Sequence, residues 1–170
     1  QDNDIPEVVY IDAHQGHLEK AKPVMEGHIT FMDKASMLVA HVVDPKPGER
    51  ILDCCAAPGG KSMHMASLMN NTGAIMSCDI YDHKLELMNQ NAERLGVSIV
   101  STKLQDGRYL PDNWKEQFDR VLVDAPCSGL GILQKKLDMR WRKTQSLLTD
   151  LPPLQLEILE KAAEMVKVDG

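Results

Sequence analysis

Residues 51–62, ILDCCAAPGGKS, constrain what this chain can fold into more than any other stretch. Two apolar residues lead into Asp53, then into a loop of cysteine, alanine, proline and glycine, and then into residues that favour a helix. That order describes a buried strand, a turn of small residues and a helix start. In open α/β sheets ligands sit at the carboxyl ends of strands, where small side chains let the backbone come close to them. Gly59 and Gly60 supply the backbone freedom such a turn needs, and the amides opening the next helix face whatever is bound. Paired glycines occur in plain loops too, but strand, acid, glycine turn and helix in this order are far more specific.

The rest of the chain repeats the unit. Residues 74–79, AIMSCD, read as a second strand ending in an acid, and residues 82–95 as an amphipathic helix with Leu85, Leu87, Met88, Ala92 and Leu95 apolar. Residues 97–104 read as a third strand ending near Asp106. A short helix is expected around Trp114, and residues 118–124, FDRVLVD, read as the fourth and most β-like strand, leaving through 125–131, APCSGLG. Before the first strand, Met37, Leu38, His41 and Val42 recur at helical spacing behind Asp33 as N-cap, and Pro45, Pro47 and Gly48 stop that helix. Residues 61–69 form a helix with Met65, Leu68 and Met69 inward. Residues 153–167 form the last helix, with Leu154, Leu156, Ile158, Leu159, Ala162, Ala163 and Val166 on its apolar side. Residues 6–12, containing VVYI, read as a short strand, and 14–23 show no clear period.

Alternating strands and helices predict an α/β fold, a doubly wound and mainly parallel sheet with helices on both faces. The expected division is a lead-in segment, 1–32, and a core, 33–170. After the last helix, Val168-Asp169-Gly170 is a turn signal that should return the chain to the sheet as a fifth strand. A sheet that stopped there would leave an unpaired edge, so the natural polypeptide is expected to continue and the core to be truncated after its fourth strand and helix. Gln1 in place of an initiator Met agrees with a fragment.

With 170 residues, 43% of them hydrophobic, the chain can bury one substantial core. No apolar run is long enough to span a bilayer, so a soluble protein without a membrane partner is expected. Cys54, Cys55, Cys78 and Cys127 form neither a CxxC pair nor a Cys/His pair at zinc-finger spacing. They fit a reducing cytoplasm better than disulfides or a metal site, and no metal is expected. A net charge of -6 excludes a protein coated in positive charge, though a basic patch on an acidic body remains open.

Two ligands compete for the glycine turn. A P-loop is suggested by GGKS followed later by RVLVD, but its glycine-rich pattern needs glycine at position 55, where Cys55 stands, and Pro58 removes an amide from the phosphate cradle. A nicotinamide dinucleotide fold fares no better, because no G-x-G-x-x-G follows the first strand. S-adenosylmethionine requires a small-residue turn for its methionine and ribose and an acid after the second strand for the ribose hydroxyls, and Asp79 stands there. Asp106 can reach the adenine amino group, and Asp124 lies where the methyl is delivered. A single Asp is more often a helix cap or a solvated group. Four strands closed by Asp53, Asp79, Asp106 and Asp124 are hard to explain by capping.

DCCAAPGGK, VLVDAPCSGLG and LDMRWR resemble the RNA 5-methylcytosine methyltransferases related to bacterial 16S ribosomal RNA methyltransferase B and the eukaryotic Nop/Sun proteins. The likeness runs from about Gly27 to Gly170 and includes GHITFMDKAS. It implies a Rossmann-like class I methyltransferase fold, S-adenosyl-L-methionine as cofactor, and RNA, ribosomal RNA foremost, as partner. Implied cofactor contacts are Cys55, Ala56, Ala57, Pro58, Gly59, Gly60, Lys61, Asp79, Asp106 and Asp124.

The implied reaction is methylation of carbon 5 of cytosine. That carbon is too weak a nucleophile unaided; a cysteine thiolate adding to carbon 6 makes it an enamine carbon, and a base later removes the carbon 5 proton. Asp124 is placed to hydrogen-bond the ring edge. The residues alone make Cys127 the nucleophile. The resemblance instead gives Cys127 the breakdown of the adduct and puts the nucleophile in a Thr-Cys motif beyond Gly170, so the fragment should bind cofactor without turning over. Lys61 either reaches solvent or approaches the cofactor. Lys135, Lys136, Arg140, Arg142 and Lys143 form a basic segment suited to an RNA backbone, with Trp141 able to stack a base. Where the family often has Pro, Leu137 stands. The alternatives are a non-catalytic RNA-binding protein on the same fold and, further off, a P-loop-like NTPase.

Overall fold

The computed structural model describes residues 2, 5–11, 17–129 and 146–170. Its centre is a parallel sheet in the order β3-β2-β1-β4, formed by β1 (Arg50–Asp53), β2 (Ala74–Asp79), β3 (Val100–Leu104) and β4 (Arg120–Leu122). A short helix α1 (Lys22–Met25) and then α2 (Lys34–Val43) precede the sheet. The crossovers from β1 to β2 and from β2 to β3 are α3 (Gly60–Leu68) and α4 (Asp82–Arg94), and α5 (Ser146–Ala163) follows β4. Leu52 pairs with Met76 on one side and Val121 on the other, and Asp53 with Ser77 and Leu122.

Strand alternation sorts the core into two layers. Ile51 and Ile75 point to one face and pack with Ala40, Met65, Ala66 and Met69 of α2 and α3. Leu52, Cys54 and Cys78 point to the other and pack with Ile158 and Ala162 of α5 and with Phe118 and Met165. Helices therefore cover both faces, and the expected doubly wound sheet is the one found. The chain winds outward from β1 to β3 and then returns to the far side of β1, so its direction reverses between β1 and β4. In this architecture the crevice at the reversal is where ligands bind.

β1 and β2 have the bounds expected of them. Several other readings need correction. Residues 8–11 form no strand; Val8 is buried, while Val9, Tyr10 and Ile11 are exposed. Residues 14–23, read as aperiodic, contain a turn of 3-10 helix at Leu18–Lys20 and the start of α1 at Lys22. Asp33 holds the N-cap position of α2, but its side chain makes no capping bond. The inward stripe of α2 is Val39, Ala40 and Val43, with Leu38 and Val42 exposed, because α3 crosses at the small Ala40. Leu87 of α4 is likewise exposed, as are Leu156 and Leu159 of α5. β4 has three residues rather than seven. Leu122 already pairs with Asp53, the last residue of β1, so among the described residues Val123 and Asp124 have no β1 strand left to bond. The helix at Trp114 is two 3-10 turns, Gly107–Tyr109 and Asp112–Trp114. Finally, α5 does not start at Pro153 but contains Pro152 and Pro153, both exposed. No helix among the described residues is long and apolar enough to cross a membrane.

Candidate functional site

The turn after β1 stays stitched to both neighbouring strands. The Cys54 amide donates to the Leu122 carbonyl at 3.0 Å and the Ala56 amide to the Cys78 carbonyl at 2.8 Å. The Ala57–Pro58 peptide is cis, and Gly59, at φ 96°, occupies the N-cap of α3. Only glycine adopts that φ without strain, and a Cβ there would stand 2.6 Å from Cγ of Met88.

Beneath the turn Asp53 is buried. The Ser62 hydroxyl donates to its Oδ2 at 2.7 Å, and the Ser77 hydroxyl donates to Ser62 at 2.9 Å. Oδ1 has no hydrogen-bond partner among the described residues. Burial raises the Asp53 pKa to about 6 against the opposing pull of the Ser62 hydroxyl, the Cys55 amide and Lys61.

The other strand-end acids face the same place. Asp79 closes β2 and is 9% exposed; its two oxygens accept the Ala57 amide at 3.2 Å and the Tyr81 amide at 3.1 Å. Each oxygen keeps a lone pair for a ligand hydroxyl. Asp106 follows β3, accepts the Arg108 amide at 2.9 Å and is gripped by the Arg108 guanidinium at 2.6 Å, which holds its carboxyl below the usual range. Asp124 follows β4 and is ion-paired with Lys61, so this lysine reaches across the switch point instead of pointing to solvent.

Cys55 records the convergence. Its thiol is raised to about 12, chiefly by burial and then by Asp53, Asp79, Asp124 and Asp106 together. Arg108 compensates the charge of Asp106 and Lys61 that of Asp124, while Asp79 keeps acceptor capacity beside the turn for ligand hydroxyl groups.

Beyond Asp124 the exit loop is open. Pro126 and Cys127 are exposed, and the amide of Gln155 in α5 donates to the Pro126 carbonyl at 2.7 Å. Of the chain's four cysteines Cys127 alone is exposed; burial raises the thiols of Cys54 and, to about 12, Cys78, which suits packing. Lys135, Lys136, Leu137, Arg140, Trp141, Arg142 and Lys143 lie outside the described residues.

Sequence reasoning missed two features. Ile80, directly after Asp79, is 53% exposed and places an apolar surface beside that acid. An apolar residue after the strand-end acid was the available signal. The second is a meeting of Glu7, His41 and His64, which no spacing in the sequence announces.

A doubly wound sheet with acids closing its strands around a small-residue turn at the switch point is a Rossmann-like fold of the kind methyltransferases use. A solved methyltransferase homologue from Pyrococcus horikoshii superposes with a TM-score of 0.80 at 32% identity, covering 92% of this chain and 48% of its own. The chain belongs to the 16S rRNA methyltransferase RsmB/F family, whose model matches residues 40–170. It is 46% identical over 145 residues to a probable ribosomal RNA small subunit methyltransferase B of Bacillus subtilis, covering 85% of this chain and 32% of that protein. It is 35% identical to the human tRNA (cytosine(72)-C(5))-methyltransferase NSUN6, covering 86% of this chain and 33% of that one. The structure of NSun6 from Pyrococcus horikoshii with SFG matches at a TM-score of 0.81 and 31% identity, over 90% of this chain and 39% of the other. The chain thus spans about a third of the length of the curated relatives it matches.

Proposed function

We propose that residues 33–170 are the S-adenosylmethionine-binding core of a cytoplasmic enzyme that methylates carbon 5 of cytosine in RNA, with ribosomal RNA the foremost substrate, and that residues 1–32 lead into it. The observation that carries this reading is Asp79 at the end of β2, held by the Ala57 and Tyr81 amides beside the small-residue turn at the switch point. The cofactor is a sulfonium cation and supplies the methyl group. Its fit rests on the free lone pairs of Asp79, on the exposed Ile80 beside it, and on a turn in which Gly59 leaves no room for a side chain. Structural support comes from the Pyrococcus NSun6, solved with SFG, an analogue of this cofactor.

In this reading Asp79 binds the ribose hydroxyls, Asp106 takes the adenine amino group while Arg108 fixes its orientation, and residues 55–61 hold the methionine portion. Lys61 holds Asp124 at the crevice edge, where the carboxylate hydrogen-bonds the ring edge of cytosine and orients the base for thiolate addition to carbon 6. Cys127, the exposed thiol of the next loop, acts in breakdown of that adduct once the carbon 5 proton is removed. Lys135, Lys136, Arg140, Arg142 and Lys143 are proposed on sequence alone to follow the RNA backbone.

The test is to incubate the full-length enzyme with small-subunit ribosomal RNA and methyl-labelled S-adenosylmethionine, digest the RNA and identify the labelled nucleoside. Label in 5-methylcytidine is expected. Label in another nucleoside would overturn the reaction assigned. Binding of RNA and cofactor with no transfer would favour a non-catalytic RNA-binding protein.

A further inference from the structure

We propose that Glu7, His41 and His64 form a binding site for a single zinc(II) ion, separate from the crevice described above. Among the described residues this is the one place where three metal-ligating side chains converge, with ligand atoms all within 4.8 Å of one another. His41 lies on α2, His64 on α3 and Glu7 on the lead-in segment, so they meet only through the fold. Both Nε2 atoms point at the same carboxylate oxygen, Oε1 of Glu7, each at 2.7 Å. The two rings stand edge to face with centroids 5.4 Å apart, directing their Nε2 atoms to one point.

The placement is built into the packing. Ile5 and Val8 are buried on either side of Glu7 and hold its turn against the helices. The His64 side chain is only 8% exposed and its ring cannot swing away. Without a metal, both imidazoles donate to the same oxygen of Glu7.

Two imidazoles and a carboxylate are a borderline donor set suited to zinc, with three protein ligands and a fourth position open. Bonds of about 2.0–2.1 Å in a tetrahedral site put ligand atoms roughly 3.3 Å apart, so each His–Glu pair opens by about 0.6 Å. Glu7 and His41 can give that much, their side chains being 35% and 33% exposed. Glu7 and His64 also line a groove of about 400 Å³ together with Met37 and Met63, large enough to admit water to the ligand atoms. Nδ1 of His64 has no partner among the described residues, and a metal-bound histidine lacking that outer support binds about 10- to 100-fold less tightly than one that has it. A site of moderate affinity is therefore expected. Bound zinc would pin the lead-in segment to α2 and α3 one helical turn beyond Gly60.

The test is titration of metal-stripped protein with zinc chloride against a chromophoric chelator, for wild type, His41→Ala and Glu7→Gln. Glu7→Gln keeps an acceptor for both imidazoles and so preserves the packing, and circular dichroism checks that each variant is folded. One equivalent of zinc should bind wild type, with affinity at least about tenfold lower in both variants. Cobalt(II) in place of zinc should give ligand-field bands of a four-coordinate nitrogen and oxygen site without thiolate charge transfer. No stoichiometric binding, equal affinity in wild type and either folded variant, or a thiolate band pointing to Cys127 would overturn the site.

Discussion

The two loops that flank the switch point are built in opposite ways. The turn after β1 is buried, bonded to β2 and β4 through its backbone, braced by Asp53 and Ser62, and shaped by a glycine that cannot be replaced without collision. The loop after β4 is exposed at Asp124, Pro126 and Cys127 and is fastened by Lys61 and Gln155. The difference matches two tasks. A cofactor of constant shape is best met by a site formed in advance. A base presented by a large RNA is better met by side chains that can adjust.

The contrast breaks most readily at Gly59. Gly59→Val forces a β-branched residue into a left-handed φ and into Met88, and should destabilise the protein by roughly 3 kcal/mol, read from the denaturant midpoint. A loss under about 1 kcal/mol would show that the turn is not rigid.

Asp53 offers a test through pH. Its carboxyl pKa is raised in the folded protein, so the folded state binds this proton more tightly. Stability from this group is full below the unfolded value near 3.8 and is lost as pH rises through about 6. At pH 8 the buried charge is a cost, and Asp53→Asn, which keeps an acceptor for Ser62, should stabilise by on the order of 1–2 kcal/mol. That advantage should shrink as pH falls from 6 toward 4. A pH-independent difference would contradict the buried carboxylate.

The link between the loops is weaker. Asp124 is half exposed, so a double-mutant cycle of Lys61→Gln and Asp124→Asn should give a coupling below about 1 kcal/mol in stability. A larger value would make the β4 loop as fixed as the β1 turn. Smallest of all, Cys127→Ser should shift the unfolding midpoint by less than about 0.5 kcal/mol. In the full-length enzyme the same change should accumulate a covalent protein–RNA adduct on a denaturing gel, and its absence would remove Cys127 from adduct breakdown.

What could be read in the sequence follows the same division. β1, β2 and the glycine turn were legible because a buried strand, an acid and small residues are local signals. The short β4 was not, since its length is set by where β1 ends at Asp53, a partner 69 residues away from Leu122 in sequence. Helical period gave α2 its existence but not its phase, which depends on the crossing at Ala40. The start of α5 was masked by Pro152 and Pro153, which remove two backbone donors from its first turns yet stand on its exposed side. The acids were visible as strand endings, but that Arg108 occupies Asp106 and Lys61 occupies Asp124 is a matter of geometry. Glu7, 34 and 57 residues from His41 and His64, could be joined to them only by the fold.

The central claim is that the turn after β1 and Asp79 beside it hold the adenosyl and amino-acid portions of the methyl donor. Calorimetric titration with S-adenosylhomocysteine, in wild type and Asp79→Ala, tests it most directly. Saturable one-to-one binding in wild type, weakened about 100-fold or more in the variant through loss of two charge-assisted hydrogen bonds, is expected. Tight ATP binding with no heat from S-adenosylhomocysteine, or binding untouched by Asp79→Ala, would contradict it.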